Sequence, residues 1–282
     1  MPNPRSQGLA ASASLTMADL ALRYCCTRLK GKPSRHMMVE KMTRVARSFP
    51  QPFTAITRTE VNEFRLARLS QVSGPTVRED IQLISKLFRW AEREMVFGEQ
   101  ELKSPARNIA LPPPSKPRSR VVERVELEKL MSALAPAMAV LVELAFETAM
   151  RRSEITRLTP RVLHLDERCL SVIDGKTGDR IVPLTSRAIE LLRKAQETCP
   201  SLDSRLFPYA PHSVSTAVRR ARRAVGLDED VRLHQLRHTR ISMVARQGFN
   251  QAQIMMVSGH RDSRSVQRYT HLNVRDVIDL LE

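Results

Sequence analysis

The chain has 282 residues, enough for two domains with separate cores. It carries 46 Lys and Arg against 30 Asp and Glu, a formal net charge of +16 and a pI of about 10.6, which favours a polyanionic partner, nucleic acid before anionic membrane. No apolar run approaches the roughly 18–20 residues that span a bilayer, the N-terminus lacks the apolar core of a secretory signal, and the four cysteines show no C-x-x-C spacing, which argues against a disulfide framework or a cysteine zinc site. A cytoplasmic, nucleoid-associated protein is expected, with no membrane partner.

Residues 1–13 read as a disordered tail, and 14–110 as a helical domain. Leu15, Leu20 and Leu22 open its first apolar segment. Thr57 and Glu60 have capping-box spacing ahead of V-N-E-F-R-L-A-R-L. After Gly74-Pro75, Ile81, Ile84, Leu87, Phe88, Ala91 and Met95 recur at helical steps, opposite a basic face of Arg78, Lys86, Arg89 and Arg93. L-P-P-P-S-K-P-R-S-R at 111–120 is a stiff, basic linker whose Lys116, Arg118 and Arg120 are candidate phosphate contacts. Residues 1–120 hold 21 Lys/Arg and 10 Asp/Glu, a net of +11; residues 121–282 hold 25 and 20, a net of +5. The first part is therefore the more general polyanion grip.

Residues 121–282 read as a mixed domain. Residues 125–158 have a helical pattern. V-L-H-L, C-L-S-V-I and R-I-V-P-L are short β-rich runs, and the last two flank the hairpin signal D-G-K-T-G-D. Helix returns from 186 onward, with a break near Pro200–Pro211. The expected fold class is mainly α with a small antiparallel β-sheet. A-V-R-R-A-R-R-A offers Arg219 and Arg220 as further DNA contacts, or as a solvated helix face.

Several side chains carry chemistry as a set. Alone, Arg151 suits a surface ion pair with Glu154, Lys176 a solvated hairpin tip, and Tyr269 a hydrogen-bonded core position. His234 and His238 stand one helical turn apart, a metal-like spacing, but Gln235 breaks H-E-x-x-H and Arg237 lies in the same turn. Together they suit one phosphodiester. Two arginines can hold its non-bridging oxygens with forked, charge-assisted hydrogen bonds. Histidines add donors or proton acceptors near neutral pH. A lysine can protonate a departing oxygen, and a tyrosine can supply the attacking one. Such a set needs neither metal nor other cofactor.

These residues resemble the tyrosine recombinase (phage integrase) family. T-A-M-R-R-S-E is similar to its first-arginine box, with Arg151 and the supporting Glu154. G-K-T-G-D-R-I-V-P-L resembles its β-hairpin lysine segment, with Lys176. H-Q-L-R-H resembles its central box, with His234 and Arg237. S-G-H-R-D-S-R-S-V-Q-R-Y-T-H resembles its closing box, with His260 and the nucleophile Tyr269. Ala149 stands where many members have glycine, and Ser258 where leucine is common. His238 and His271 match the boxes but are not assigned a catalytic role.

The resemblance implies a helical core-site-binding domain at 14–110 and a catalytic domain at 121–282, clamped around duplex DNA, with no arm-site-binding domain. It implies site-specific recombination through a 3′-phosphotyrosyl intermediate by a tetramer on DNA, in a mobile-element setting, with accessory DNA-bending or directionality proteins as further partners. Val277, Leu280 and Leu281, in the tail, are expected to dock on a neighbouring protomer. The alternatives are a catalytically silent DNA-binding relative and a DNA-relaxing enzyme of the type IB topoisomerase kind.

Overall fold

The computed structural model describes residues 14–32, 34–95, 102–115, 120–173, 175, 178–267 and 269. The tail at 1–13, Lys116, Arg118, Lys176, His271, Val277, Leu280 and Leu281 lie outside the described residues. The chain forms two compact units, Met1–Pro117 and Arg118–Glu282. Among the described residues no helix is long and apolar enough to cross a membrane.

The first unit is built from α1 (Met17–Arg28), α2 (Arg35–Ala46), α3 (Arg58–Leu69) and α4 (Gly74–Glu94). The Thr57 hydroxyl accepts from the Glu60 amide at 3.3 Å, and the Glu60 carboxylate accepts from the Thr57 amide at 2.8 Å, so the capping box starts α3 as its spacing predicts. Pro75 sits at the start of α4, where its missing N–H leaves no intrahelical bond unmade. Ile81, Ile84, Leu87, Phe88 and Ala91 are buried against Met17, Leu20, Phe53 and Val61. The helix stops one residue short of the predicted stripe: Met95 is its extended C-terminal cap. Leu22 faces outward, 49% exposed, because it is off the buried stripe of α1. Part of the basic face of α4 is engaged within its own unit. Lys86 lies over the Tyr24 ring at 5.5 Å, and Arg78 donates to the Pro112 carbonyl at 2.9 Å.

The second unit holds α5 (Arg124–Ser132), α6 (Pro136–Thr148), α7 (Arg152–Ile155), α8 (Ser186–Glu197), α9 (Pro211–Ala224), α10 (Leu233–Arg246), α11 (Gln251–Ser258) and α12 (Arg264–Gln267). The helical pattern at 125–158 is thus three helices. Pro136 cannot continue α5 and instead opens α6. Ala149 then takes a left-handed conformation, φ +50°, that ends α6. α6 is apolar around most of its girth and packs between α10 and α8. Burying side chains such as Leu141, Val142 and Leu144 contributes roughly 1.5–3 kcal/mol each.

The three predicted β runs pair as an antiparallel meander of β1 (Leu163–His164), β2 (Cys169–Val172) and β3 (Arg180–Pro183). Leu170 faces Val182, and both are fully buried in the core. A separate small cluster of Ala149, Ile241, Val244, Ile254 and Val266 ties α10, α11 and α12 together, and Tyr269 packs against it. The result is a mainly helical fold with a small antiparallel sheet, as the sequence pattern predicts.

Candidate active site

The site forms where three distant segments meet the C-terminal end of α11. A helix end leaves its last carbonyls without intrahelical partners and carries partial negative charge. Three guanidiniums satisfy these groups. Arg180 donates to the Val257 carbonyl at 3.3 Å, Arg237 to Ser258 at 2.5 Å, and Arg151 to Gly259 at 2.9 Å. Arg237 also donates to the carbonyl of Ala149, the left-handed residue that ends α6. Arg237 is 3% exposed.

Glu154 sits between two of these cations. One carboxylate oxygen pairs with Arg151 at 2.7 Å; the other pairs with Arg180 at 3.0 Å and accepts from the Arg151 amide at 2.9 Å. Burial alone would raise its pKa. The charge of Arg180 and the hydrogen bonds from Arg151 and Arg180 outweigh burial and hold the carboxyl below its usual range. Burial has the opposite consequence for Arg237. Together with Arg151 and Arg180, and against the pull of Glu154 and Tyr269, it brings that guanidinium down to about 10. Arg237 thus stays charged at neutral pH. Three guanidiniums against this one carboxylate leave the cluster positive, which suits an anionic ligand.

Arg151 follows the apolar α6 and occupies the N-terminal cap of α7, turned by the bend at Ala149. Arg151 and Arg237, with Met150, Arg152, Ser153, Ser215, Leu233 and the exposed His234, line an open cavity of about 380 Å³. A larger cavity of about 740 Å³, lined by residues such as Val140, Leu206, Phe207 and Tyr209, shares none of these residues.

His234 and His238 stack edge to face, centroids 4.5 Å apart, on successive turns of α10. His238 Nδ1 hydrogen-bonds the Tyr269 hydroxyl, and the two rings stack at 6.0 Å. His260 follows Gly259, whose φ of +63° turns the chain out of α11. Its Nδ1 pairs with the Ser258 hydroxyl at 2.8 Å. Arg151, Glu154, His234, Arg237, His260 and Tyr269 therefore all lie around the junction of α7, α10 and α11, and Lys176 lies outside the described residues.

Other candidates lie apart from that junction. Arg120 is engaged by Glu126 at 2.5 Å and Asp228 at 3.7 Å. Arg219 and Arg220 are exposed on α9, whereas Arg222 of the same basic run is buried and donates to the Glu229 carbonyl.

Three participants escape the sequence reading. Arg180 precedes Ile181 and the inward Val182 on β3, so two-residue alternation alone could have turned it inward. Ser258 counts in sequence as a departure from leucine, yet its hydroxyl holds His260. His238 is set aside in sequence, yet its Nδ1 hydrogen-bonds the tyrosine hydroxyl.

The model of the phage integrase family matches residues 120–275. The shufflon-specific DNA recombinase of Escherichia coli is 28% identical over 298 residues, covering 100% of this chain and 74% of that one. Among solved structures, the Tn1549 transposon integrase in complex with a circular intermediate DNA superposes with a TM-score of 0.79 at 14% identity, covering 95% of this chain and 100% of that one. A lambda integrase tetramer bound to a Holliday junction gives 0.73 at 19% identity, covering 95% and 80%. At these identities the structural likeness speaks for the fold. The family match, which spans more than half of the chain, speaks for descent: the protein belongs to the phage integrase family, the tyrosine recombinases.

Proposed function

We propose that the protein is a site-specific DNA recombinase that cuts and rejoins duplex DNA through a 3′-phosphotyrosyl bond at Tyr269. The observation that carries this reading is the positive cluster of Arg151, Arg180 and Arg237 around Glu154, in the same small unit as the Tyr269 hydroxyl. A phosphodiester under attack gains charge on its non-bridging oxygens, and fixed guanidiniums stabilise that charge without reorganising. Arg151 and Arg237, with His260, take the non-bridging oxygens. His234 assists proton transfer at the mouth of the cavity. Lys176 protonates the departing 5′ oxygen. Attack by a 5′-hydroxyl of the partner strand reverses the step, and the covalent bond conserves the phosphodiester energy, so ATP is not required.

Exchange between two duplexes takes four such sites, hence a tetramer on DNA, an assembly that the lambda integrase structure displays for that protein. Lys116, Arg118, Arg120, Arg219 and Arg220 are proposed backbone contacts. The domain roles follow: residues 14–110 grip the core site, residues 111–120 link, and residues 121–282 carry the chemistry. A mobile-element setting, accessory DNA-bending proteins and a place at the nucleoid complete the reading.

Nicked suicide substrates drawn from the flanking genomic sequence test it, because loss of the short cleaved strand traps the adduct. Wild-type protein is expected to form a covalent complex, and Tyr269→Phe none. An adduct that survives Tyr269→Phe would remove Tyr269 as nucleophile. Binding without any adduct would favour a silent DNA-binding protein, and relaxation of supercoils without exchange a topoisomerase-like activity.

A further inference from the structure

His238 has no part in the chemistry above, although it makes a direct side-chain contact with the attacking atom. Its Nδ1 meets the Tyr269 hydroxyl, and the two rings lie within 28° of parallel. The ring is half-buried, held edge to face by His234 one turn earlier on α10. Tyr269 packs against the cluster of Ile241, Val244, Ile254 and Val266. Both partners are half-buried. A phenol has an ordinary pKa of about 10, so at neutral pH nearly all of it is protonated and weakly nucleophilic.

We propose that His238 is a catalytic residue that accepts the Tyr269 proton as the hydroxyl attacks. The inference rests on the strand-cleavage reading and names the atom that takes the proton from the Tyr269 hydroxyl itself. In the step, neutral His238 carries its proton on Nε2 and presents the Nδ1 lone pair to the phenol. The Oη–H bond breaks, and the proton passes to Nδ1, giving an imidazolium. The Oη electron pair forms the bond to phosphorus. The bond from phosphorus to the 5′ oxygen breaks, and that oxygen keeps the electron pair and takes a proton from the general acid. In the reverse step Nδ1 returns its proton to Oη as tyrosine leaves. His234 keeps its part in proton transfer at the mouth of the cavity and also supports the His238 ring edge to face.

Two variants and two substrates test the assignment. His238→Asn keeps a hydrogen-bonding atom near the Nδ1 position but no basic nitrogen; His238→Ala removes both. The first substrate is an ordinary nicked suicide duplex. In the second, sulfur replaces the bridging 5′ oxygen at the cleavage site, so the leaving group departs without needing a proton. General-base removal typically costs about 10²–10⁴-fold in rate. Both variants are expected to form the adduct at least about 10²-fold more slowly on the ordinary duplex, and to keep that deficit on the sulfur substrate. Near-wild-type rates for His238→Asn would overturn the proposal, since orientation alone would then suffice. So would recovery of either variant on the sulfur substrate, which would place the defect at the leaving group. A wild-type protein that forms no adduct on either duplex would overturn the strand-cleavage reading itself, an outcome distinct from active wild type beside equally active variants.

Discussion

Replacing Glu154 tests the physical account of the arginine cluster most directly. Its carboxylate is 6% exposed as a residue and pairs with Arg151 and Arg180, so Glu154→Ala leaves two guanidiniums facing each other without their shared anion. Removing one partner of a buried ion pair costs about 3–5 kcal/mol. The side chains of Arg151 and Arg180 keep 19% and 11% exposure, so water reaches the freed cations and the expected loss is near the low end, about 3 kcal/mol. Glu154→Gln keeps the shape and an acceptor oxygen but turns an amide N–H₂ towards one arginine, for a loss of about 2 kcal/mol. For a unit of this size, about 3 kcal/mol lowers the melting temperature by about 6–12 °C in scanning calorimetry of the full chain.

The pH dependence has a definite sign. The folded-state pKa of Glu154 is depressed, so its contribution is present above the unfolded carboxylate value of 4.5 and is lost as pH falls through the lower folded value. The gap between wild type and Glu154→Gln should be widest near neutrality and should close in acid. Loosening Arg151 by an ångström or so should also slow adduct formation by about 10²-fold. A stability loss under about 1 kcal/mol at neutral pH, or a gap that stays constant into acid, would refute the account of Glu154 as the anion that holds the two arginines.

Gly259→Ala should be severe: a Cβ there would stand 2.5 Å from Arg180 Nε at a φ of +63°, so strain of about 1–2 kcal/mol adds to a displaced arginine, and both the denaturation midpoint and the adduct rate should fall. Ala149→Gly should stay within about 1 kcal/mol of wild type in urea denaturation. Relief of left-handed strain is offset by the extra freedom of the unfolded chain and the loss of a buried methyl. Ser258→Ala removes the hydroxyl on His260 Nδ1 and should slow adduct formation several-fold while costing about 1 kcal/mol or less in the same denaturation assay.

Features set by short-range chemistry were legible in the chain. Thr57 and Glu60 announce the start of α3, the turn residues between the β runs announce the meander, and the arginine, histidine and tyrosine boxes announce the family. What was not legible depends on bends. The apolar pattern of 125–158 runs through Pro136 and Ala149 almost without a break, so the turn that aims Arg151 is invisible until Ala149 is seen at positive φ. Arg180 reads as one of many cations in a basic chain; strand alternation hints that it turns inward, but its pairing with Glu154, 26 residues earlier, is seen only in the fold. For His238, spacing along α10 shows that it shares a face with His234, but not that Tyr269 returns to that face.

The acceptors that fix the guanidiniums are mostly main-chain oxygens, at residues 149 and 257–259. Every amino acid carries such an oxygen. The grip on the arginines is therefore written in the path of the backbone, and side chains there answer to different demands: a tolerable left-handed turn at 149 and 259, a small apolar face at 149, a partner for His260 at 258. Substitutions that respect that path can accumulate without loosening the cluster. A search for this kind of site in divergent chains does better to follow the shape of the turn that ends α11 than the letters spelled along it.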